Sequence, residues 1–381
     1  MQGGALKQIM WLVAAMSLLL VVCSATSLDC SDRKSADNAD KTGFEEYLAS
    51  GADGMTDTFR FVVYGDTRGN LMHTVNTDVI SRINAHIVSL NPAPLFVIHT
   101  GDLARRGGSD AYGSGKKAMK QLNDASIPYA MAVGNHELYS SFPAWGRTNI
   151  SAHMQSEYQA TFCTSNTVGP ICFPQEPKLP GYENLVFAFE LGNSFFAILA
   201  TYYVTKDVKY YDDISPEQLQ WFRERVSGSS KKHRFVFAHK AVYSSGVHNE
   251  HPPATTHMLE LMGVLNDNHV DIYFAGHEHY YVRRKIETAD GHRWSNGVTQ
   301  IVTGGGGAPL HKPNPAYGLS ACASRYSFTV IDVTANEILG TTYGFNSLTD
   351  DIVPIDKFCL LGAGKPCPGW EAQDRIVAKC A

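Results

Sequence analysis

Apolar positions along this chain recur in two rhythms. Near-continuous apolar runs at 58–65 (TFRFVVYG), 95–99 (LFVIH) and 128–133 (PYAMAV) predict buried strands. Between the first two, Val75, Val79, Ile80, Ile83 and Ile87 return at helical spacing and predict a helix within 73–90. A second helix is expected within 111–124. Strand, helix and strand in repetition is the pattern of a parallel sheet covered by helices.

Residues 140–182, with Pro, Gly, Asn and two Cys, read as an irregular inserted loop. Strands are expected next at 185–190 and 195–201. Ser215-Pro216-Glu217-Gln218 predicts a helix start, with Ser as N-cap, Pro at the first helical position and Gln closing a capping box. Leu219, Phe222 and Val226 give that helix its apolar stripe. A strand at 234–238, a helix at 256–266 and a strand at 271–275 follow, and beyond 297 the runs are β (TQIVTG, YSFTVIDV, EILGTTYG).

Composition narrows the class. The chain has 381 residues, 44% apolar and 18% charged, an ordinary globular mixture. Its 32 Lys and Arg against 37 Asp and Glu give a net charge of −5, which argues against an electrostatic nucleic-acid surface. Lys7, the uncharged run Ile9 to Val22 and the small residues 24–27 predict a signal peptide over 1–27 and an exported protein. The alternative is a retained N-terminal anchor, because residues 8–28 carry no charge; no other stretch is long and apolar enough to cross a membrane. Residues 28–57 read as a polar leader, 58–349 as the working domain and 350–381 as a Cys-containing tail. Export makes disulfides the default for the seven remaining Cys. Cys163 with Cys172, and two of Cys359, Cys367 and Cys380, are the plausible pairs. No C-x-x-C spacing occurs, so a thiolate zinc site is not expected. Asn149-Ile150-Ser151 is a glycosylation sequon, meaningful only in a eukaryotic secretory host.

Several strands end in a polar group. Gly65-Asp66-Thr67-Arg68, Gly101-Asp102, Gly134-Asn135-His136-Glu137 and Gly276-His277-Glu278-His279 each follow an apolar run, and 235–238 ends in His239. Ligands of open α/β sheets bind outside the carboxyl ends of strands. Asp66, Asp102, Asn135, His239, His277 and His279 are therefore expected along one rim, with the preceding glycines allowing sharp turns and close backbone approach. This oxygen and nitrogen set, without sulfur, suits Fe, Mn, Zn or Mg. Six donors exceed the needs of one ion, so an Asp shared between two divalent or trivalent ions is expected, a usual device for attack on phosphorus.

The ordered series from Asp66 to His279, with its GNHE and GHEH motifs, resembles the calcineurin-like metallophosphoesterase superfamily over roughly residues 58–345. The Gln218…Trp221 helix start and Gly304 to Gly307 before Ala308-Pro309-Leu310 agree with it. The resemblance implies a four-layer α/β/β/α sandwich of two packed mixed sheets flanked by helices. It implies that Asp102 bridges two metal ions, that Asn135, His239 and His277 complete one site, and that Asp66 and His279 belong to the other. It makes His136 the general acid, or a phosphate ligand, in hydrolysis of a phosphate ester by metal-activated water.

One departure stands out. Most relatives write the first motif Asp-x-His, and the purple acid phosphatases supply a Tyr three residues after the second-motif Asp. Here Arg68 and Arg105 occupy those positions, and arginine stays protonated and ligates no metal. The Asp66 site is then completed by water or by another residue such as His311. Arg68 either clamps phosphate oxygens, making substrate ligands of Arg68, Asn135 and His136, or forms a salt bridge that orients Asp66 or a nearby acid. Arg105 and Arg106 read as ordinary loop charges. Glu137 and Glu278 read as scaffold, bracing neighbouring His rings or solvated, and Gly304 to Gly307 as a tight turn or a pocket lining. The expected activity is an exported phosphomonoesterase acting on a small phosphate ester. The alternatives are a phosphodiesterase for nucleotides or lipid head groups, and a non-catalytic scaffold with a degenerate first metal site.

Overall fold

The computed structural model describes residues 57–70, 72–141, 149–150, 152–162, 179–205, 209–246, 255–289 and 291–370. The signal peptide, nearly all of the leader, Cys163, Cys172, Cys380 and Ser151 of the sequon lie outside them. In chain order the structure opens with β1 (Phe59–Tyr64), α1 (Thr77–Ser89), β2 (Phe96–His99), α2 (Ser109–Ala118), α3 (Lys120–Asp124) and β3 (Tyr129–Met131). An antiparallel pair, β4 (Tyr139–Ser141) and β5 (Asn149–Ile150), precedes α4 (Ala152–Thr161). Next come β6 (Phe187–Leu191), β7 (Ser194–Ile198), the pair β8 (Tyr203–Val204) and β9 (Tyr210–Tyr211), α5 (Pro216–Gly228), β10 (His233–Phe237), α6 (Thr256–Asp267) and β11 (Ile272–Ala275). The remainder is β12 (Tyr281–Ala289), β13 (His292–Thr303), β14 (Ala321–Ala323), β15 (Tyr326–Val333), β16 (Glu337–Phe345), β17 (Val353–Leu361) and β18 (Lys365–Pro366).

Two seven-stranded mixed sheets result, in the orders β18-β17-β16-β15-β1-β2-β3 and β14-β12-β13-β11-β10-β7-β6. β1, β2 and β3 run parallel in the first; β7, β10, β11 and β13 run parallel in the second. Alternation along β1 explains the layering. Phe61 and Val63 join Phe96, Ile98, Phe196, Phe235 and Phe237 in a core between the sheets. Phe61 stacks on Phe96 at 5.5 Å and meets Phe235 edge-on at 5.1 Å. Val62 and Tyr64 turn the other way and gather with the apolar stripe of α1. A strand buried on both faces reads as a continuous apolar run, which is why these segments stood out. The architecture is the expected α/β sandwich of two packed sheets with helices.

Local departures have local causes. α1 begins at Thr77 rather than 73, because the amide nitrogens of Gly69 and Asn76 donate to Thr74 O and Thr67 O, which holds 73–76 in a bridge, and Asn76 then caps the helix by accepting from the Val79 amide. The expected helix of 111–124 is broken at Met119 into α2 and α3. Ser215 caps α5 as expected, accepting from the Gln218 amide at 3.2 Å. The Gln218 side chain does not close a capping box. It grips Ala200, with Nε2 donating to the carbonyl and Oε1 accepting from the amide, both at 2.8 Å, and so ties α5 to the end of β7. The 140–182 segment is not wholly irregular, since it contains β4, β5 and α4. The tail from 350 is continuous with the first sheet through β17 and β18, and a Cys359–Cys367 disulfide joins them.

Candidate metal centre

The ends of β1 and β2 in one sheet meet the ends of β10 and β11 in the other. Both Asp66 oxygens accept from the His277 amide, at 3.0 and 2.9 Å. The Gly276 amide donates to His239 O at 2.9 Å, and the Asp66 amide donates to Gly101 O at 2.9 Å. Asp66, Asp102 and His277 themselves adopt left-handed backbone, with φ of 58°, 56° and 70°. Such strain in non-glycine residues concentrates at functional sites. The sharp turns were expected from the glycines; at Gly134 and Gly276 the reason for glycine is contact instead. A Cβ on Gly134 would lie 2.2 Å from Asp102 Oδ1, and one on Gly276 would lie 2.4 Å from Asp66 Oδ2.

All six expected donors converge. Oxygen and nitrogen atoms of Asp66, Asp102 and His239 lie within 4.8 Å of one another, and all three side chains are buried. Asn135 Oδ1 stands 3.2 Å from His239 Nε2 and 3.1 Å from His277 Nδ1. His239 Nε2 is 3.4 Å from Asp102 Oδ1 and 4.0 Å from Asp66 Oδ1. His279 Nε2 is 3.7 Å from Asp66 Oδ1. Backbone carbonyls set two of the rings: His239 Nδ1 donates to Thr100 O at 2.7 Å and His279 Nδ1 to Pro309 O at 2.8 Å, which leaves each Nε2 facing inward.

Neutral His239 would then present a lone pair to the Asn135 oxygen, two acceptors face to face. Something positive must stand between them. Burial alone would lower the His239 pKa, but Asp102 and Asp66 outweigh it and push it up to about 9. Burial, with the Asp102 charge added, raises Asp66 well above the usual carboxylate range. At Asp102 burial acts upward too, and the neighbouring His239, His136 and Arg68 overcome it and hold the group well below that range. A proton trapped among buried acceptors is what a cation would displace, so the donors fit a hard or borderline metal ion.

His136 lies beside this cluster. Its Nδ1 donates to Arg105 O at 2.6 Å, its amide donates to Asp102 Oδ1 at 3.0 Å, and its Nε2 is 3.8 Å from Asp102 Oδ2. Burial lowers its pKa. Arg68 does not pair with Asp66. Its Nε stands 3.8 Å from Asp102 Oδ2 and its Nη2 3.4 Å from His279 Nε2. His279 is driven down to about 2, by burial first and then by Arg68 and His311. The His311 ring stacks on that of His279 at 4.2 Å. Arg106 is a loop charge as expected, paired with Asp110; at Arg105 it is the backbone carbonyl that matters to the site, since it orients His136.

Glu137 is neither solvated nor braced on an imidazole. Fully buried, it accepts the amides of Asp102 and Gly134 on Oε2 and those of Leu103 and Ala104 on Oε1, at 2.9, 2.8, 2.9 and 3.5 Å. Glu278 is buried as well and accepts from Ser244 Oγ at 2.5 Å. Gly304 to Gly307 do not form a simple turn: a Cβ on Gly304 would lie 3.0 Å from Asp66 Oδ2, and the Gly306 amide donates to Gly65 O.

Three supporting residues escaped the sequence reading. His99 accepts the Gly101 amide on Nδ1 at 3.2 Å, while its Nε2 meets Thr67 Oγ1 at 3.0 Å; burial, with the His239 charge, lowers it to about 3. Its place at the end of β2, just ahead of Thr-Gly-Asp, was the available signal. Tyr139 Oη accepts from Asn135 Nδ2 at 2.8 Å, and Tyr202 Oη lies 3.4 Å from His277 Nε2. Nothing local marks either.

Comparison with known proteins agrees with this fold. The fold resembles a purple acid phosphatase from yellow lupin (Lupinus luteus) seeds, with a TM-score of 0.60 and 17% identity over 80% of this chain and 54% of that one. PhoD follows at 0.55 and 13%, over 80% and 70%. The anchor protein of the Plasmodium inner membrane complex gives 0.51 and 13%, over 77% and 87%. The chain thus spans about half the length of the lupin protein. No curated protein matches the sequence. Residues 59–281, more than half the chain, match the calcineurin-like phosphoesterase family, and with its donors gathered at the strand ends this chain belongs to that family.

Proposed function

We propose that the protein is an exported, metal-dependent hydrolase of phosphate monoesters in which His136 is the general acid. The observation that carries this reading is the meeting of Asn135 Oδ1 with His239 Nε2 and His277 Nδ1 at 3.2 and 3.1 Å, beside the buried carboxylates of Asp102 and Asp66. Asp102, Asn135, His239 and His277 would hold a metal ion, with Asp66 and His279 beside them. Bound there, metal supplies Lewis acidity toward a phosphoryl oxygen and lowers the pKa of water.

The chain's own residues do the rest. Asn135 and Arg68 neutralise charge growing on the phosphoryl oxygens, Arg68 through N–H groups that need no proton bookkeeping. With Nδ1 committed to Arg105 O, His136 carries its mobile proton on Nε2 and delivers it to the departing alkoxide. Phe-rich strands behind the site keep the donor cluster dry, which strengthens each of these charges. Export is supported by the signal-like N-terminus and by the Cys359–Cys367 disulfide, a bond of oxidising compartments.

The test is hydrolysis of p-nitrophenyl phosphate against bis(p-nitrophenyl) phosphate by the full chain, before and after chelation and after return of Mn, Zn, Fe or Mg. Faster turnover of the monoester, lost on chelation and restored by one of these ions, is expected. Preference for the diester would overturn the substrate class, and turnover indifferent to chelation would overturn metal dependence.

A further inference from the structure

We infer that the guanidinium of Arg68 takes the place of a second metal ion, so that this centre binds one ion where its six donors led us to expect two. The inference rests on the metal-dependent reading above and concerns how that site is filled.

A second ion would need His279 Nε2, Asp66 and a shared oxygen of Asp102. His279 donates Nδ1 to Pro309 O, so its Nε2 offers a lone pair toward the centre. Arg68 Nη2 stands 3.4 Å from that lone pair. Arg68 Nε stands 3.8 Å from Asp102 Oδ2, and among the described residues it is a buried nitrogen with no hydrogen-bond partner. The side chain is thus aimed between two of the atoms that such an ion would use.

The backbone keeps it there. The Arg68 amide donates to Asp102 O at 3.1 Å, the Thr67 amide donates to the same carbonyl at 3.0 Å, and Arg68 pairs with Val75 in a β-bridge. Only 17% of its side-chain surface is exposed. Swinging out would leave Asp102 without that cation and return the guanidinium to water from a pocket built around it.

Charge leads to the same count. Arginine stays protonated whatever surrounds it. Two carboxylates, Asp66 and Asp102, face the centre. One divalent ion and one guanidinium already exceed their combined charge. A further divalent ion would sit within a few ångströms of the guanidinium in a buried, poorly screened site. The Asn135 oxygen, by contrast, stands 3.2 and 3.1 Å from the His239 and His277 nitrogens, a spacing that suits ligands of one ion. Arg68 then does electrostatically what a second ion does elsewhere: it holds positive charge beside Asp102 and offers N–H groups in a fixed fork to a tetrahedral anion.

Metal-free full-length protein loaded with Mn²⁺ and freed of excess by gel filtration provides the test, read as Mn per chain by mass spectrometry and by electron paramagnetic resonance. The wild type is expected to carry one Mn with the six-line signal of an isolated ion. Arg68→His, which restores an imidazole donor, is expected to carry two with an exchange-coupled signal, and Arg68→Lys, which keeps a cation, is expected to stay at one. Two coupled ions in the wild type, or a single ion in Arg68→His, would overturn the inference while leaving the metal-dependent reading intact. No bound ion in the wild type with Mn, Zn or Fe would overturn that reading and the inference with it.

Discussion

Asn135 gives its amide nitrogen to Tyr139 Oη at 2.8 Å and thereby turns its oxygen toward His239 and His277. A primary amide can flip, and only the oxygen ligates. The phenol is what decides which end faces the metal, so Tyr139→Phe should release that choice without touching a ligand. Loss of a group orienting a ligand typically costs about 10–100-fold in metal affinity. Competition against a chelator checks this, and an unchanged affinity would remove Tyr139 from the scheme.

Glu137 joins the loops that carry Asp102 and Asn135 by accepting four backbone amides. Glu137→Gln turns an NH₂ group toward two of those donors. It should cost about 1–3 kcal/mol in urea unfolding at pH 5, where burial keeps Glu137 protonated, because an NH₂ group facing buried N–H donors leaves them unsatisfied. In the metal-free protein, burial and the Asp102 charge raise the Glu137 pKa from 4.5 to about 7. A raised carboxyl contributes stability that is complete below its unfolded pKa and is lost as pH rises through its folded one. The wild type's advantage over Glu137→Gln should therefore shrink between pH 4.5 and 7, by up to about 1.4 kcal/mol per pH unit. A gap that widens over this window would contradict the assignment.

His136 acts as an acid only while protonated, and burial, outweighing the Asp102 charge, holds its pKa below 6.5. The kcat/KM of the monoesterase should accordingly fall as pH rises through the range below 6.5. His136→Ala should lose that limb together with about 10²-fold or more in kcat, with metal content unchanged. A profile that climbs steadily to pH 9 in the wild type would exclude His136 as the proton donor.

The strands, the polar residues at their ends and their common rim were legible because each is local: an apolar run, a glycine, then a polar residue. What escaped is non-local. α4 shows little amphipathic contrast, burying the polar Gln155 along with Tyr158. Gln155 is satisfied by both backbone groups of Val204, 49 residues away. β17 contains Asp356, which reads as a strand breaker until Tyr281 Oη and Arg283 Nε are seen to reach it at 2.6 and 2.7 Å from the other sheet. The same holds at the site. Asp66, Asp102 and His277 announce themselves, whereas the work of Glu137, Tyr139 and Arg68 depends on atoms brought in by the fold.

The central claim is that these donors enclose a metal ion, and anomalous diffraction from crystals grown with Mn²⁺ tests it most directly. The expected result is a peak bounded by Asp102, Asn135, His239 and His277, gone in His277→Ala crystals of the same form. Diffraction showing no peak there, with Asn135 and the imidazoles unmoved and closed on one another, would contradict it.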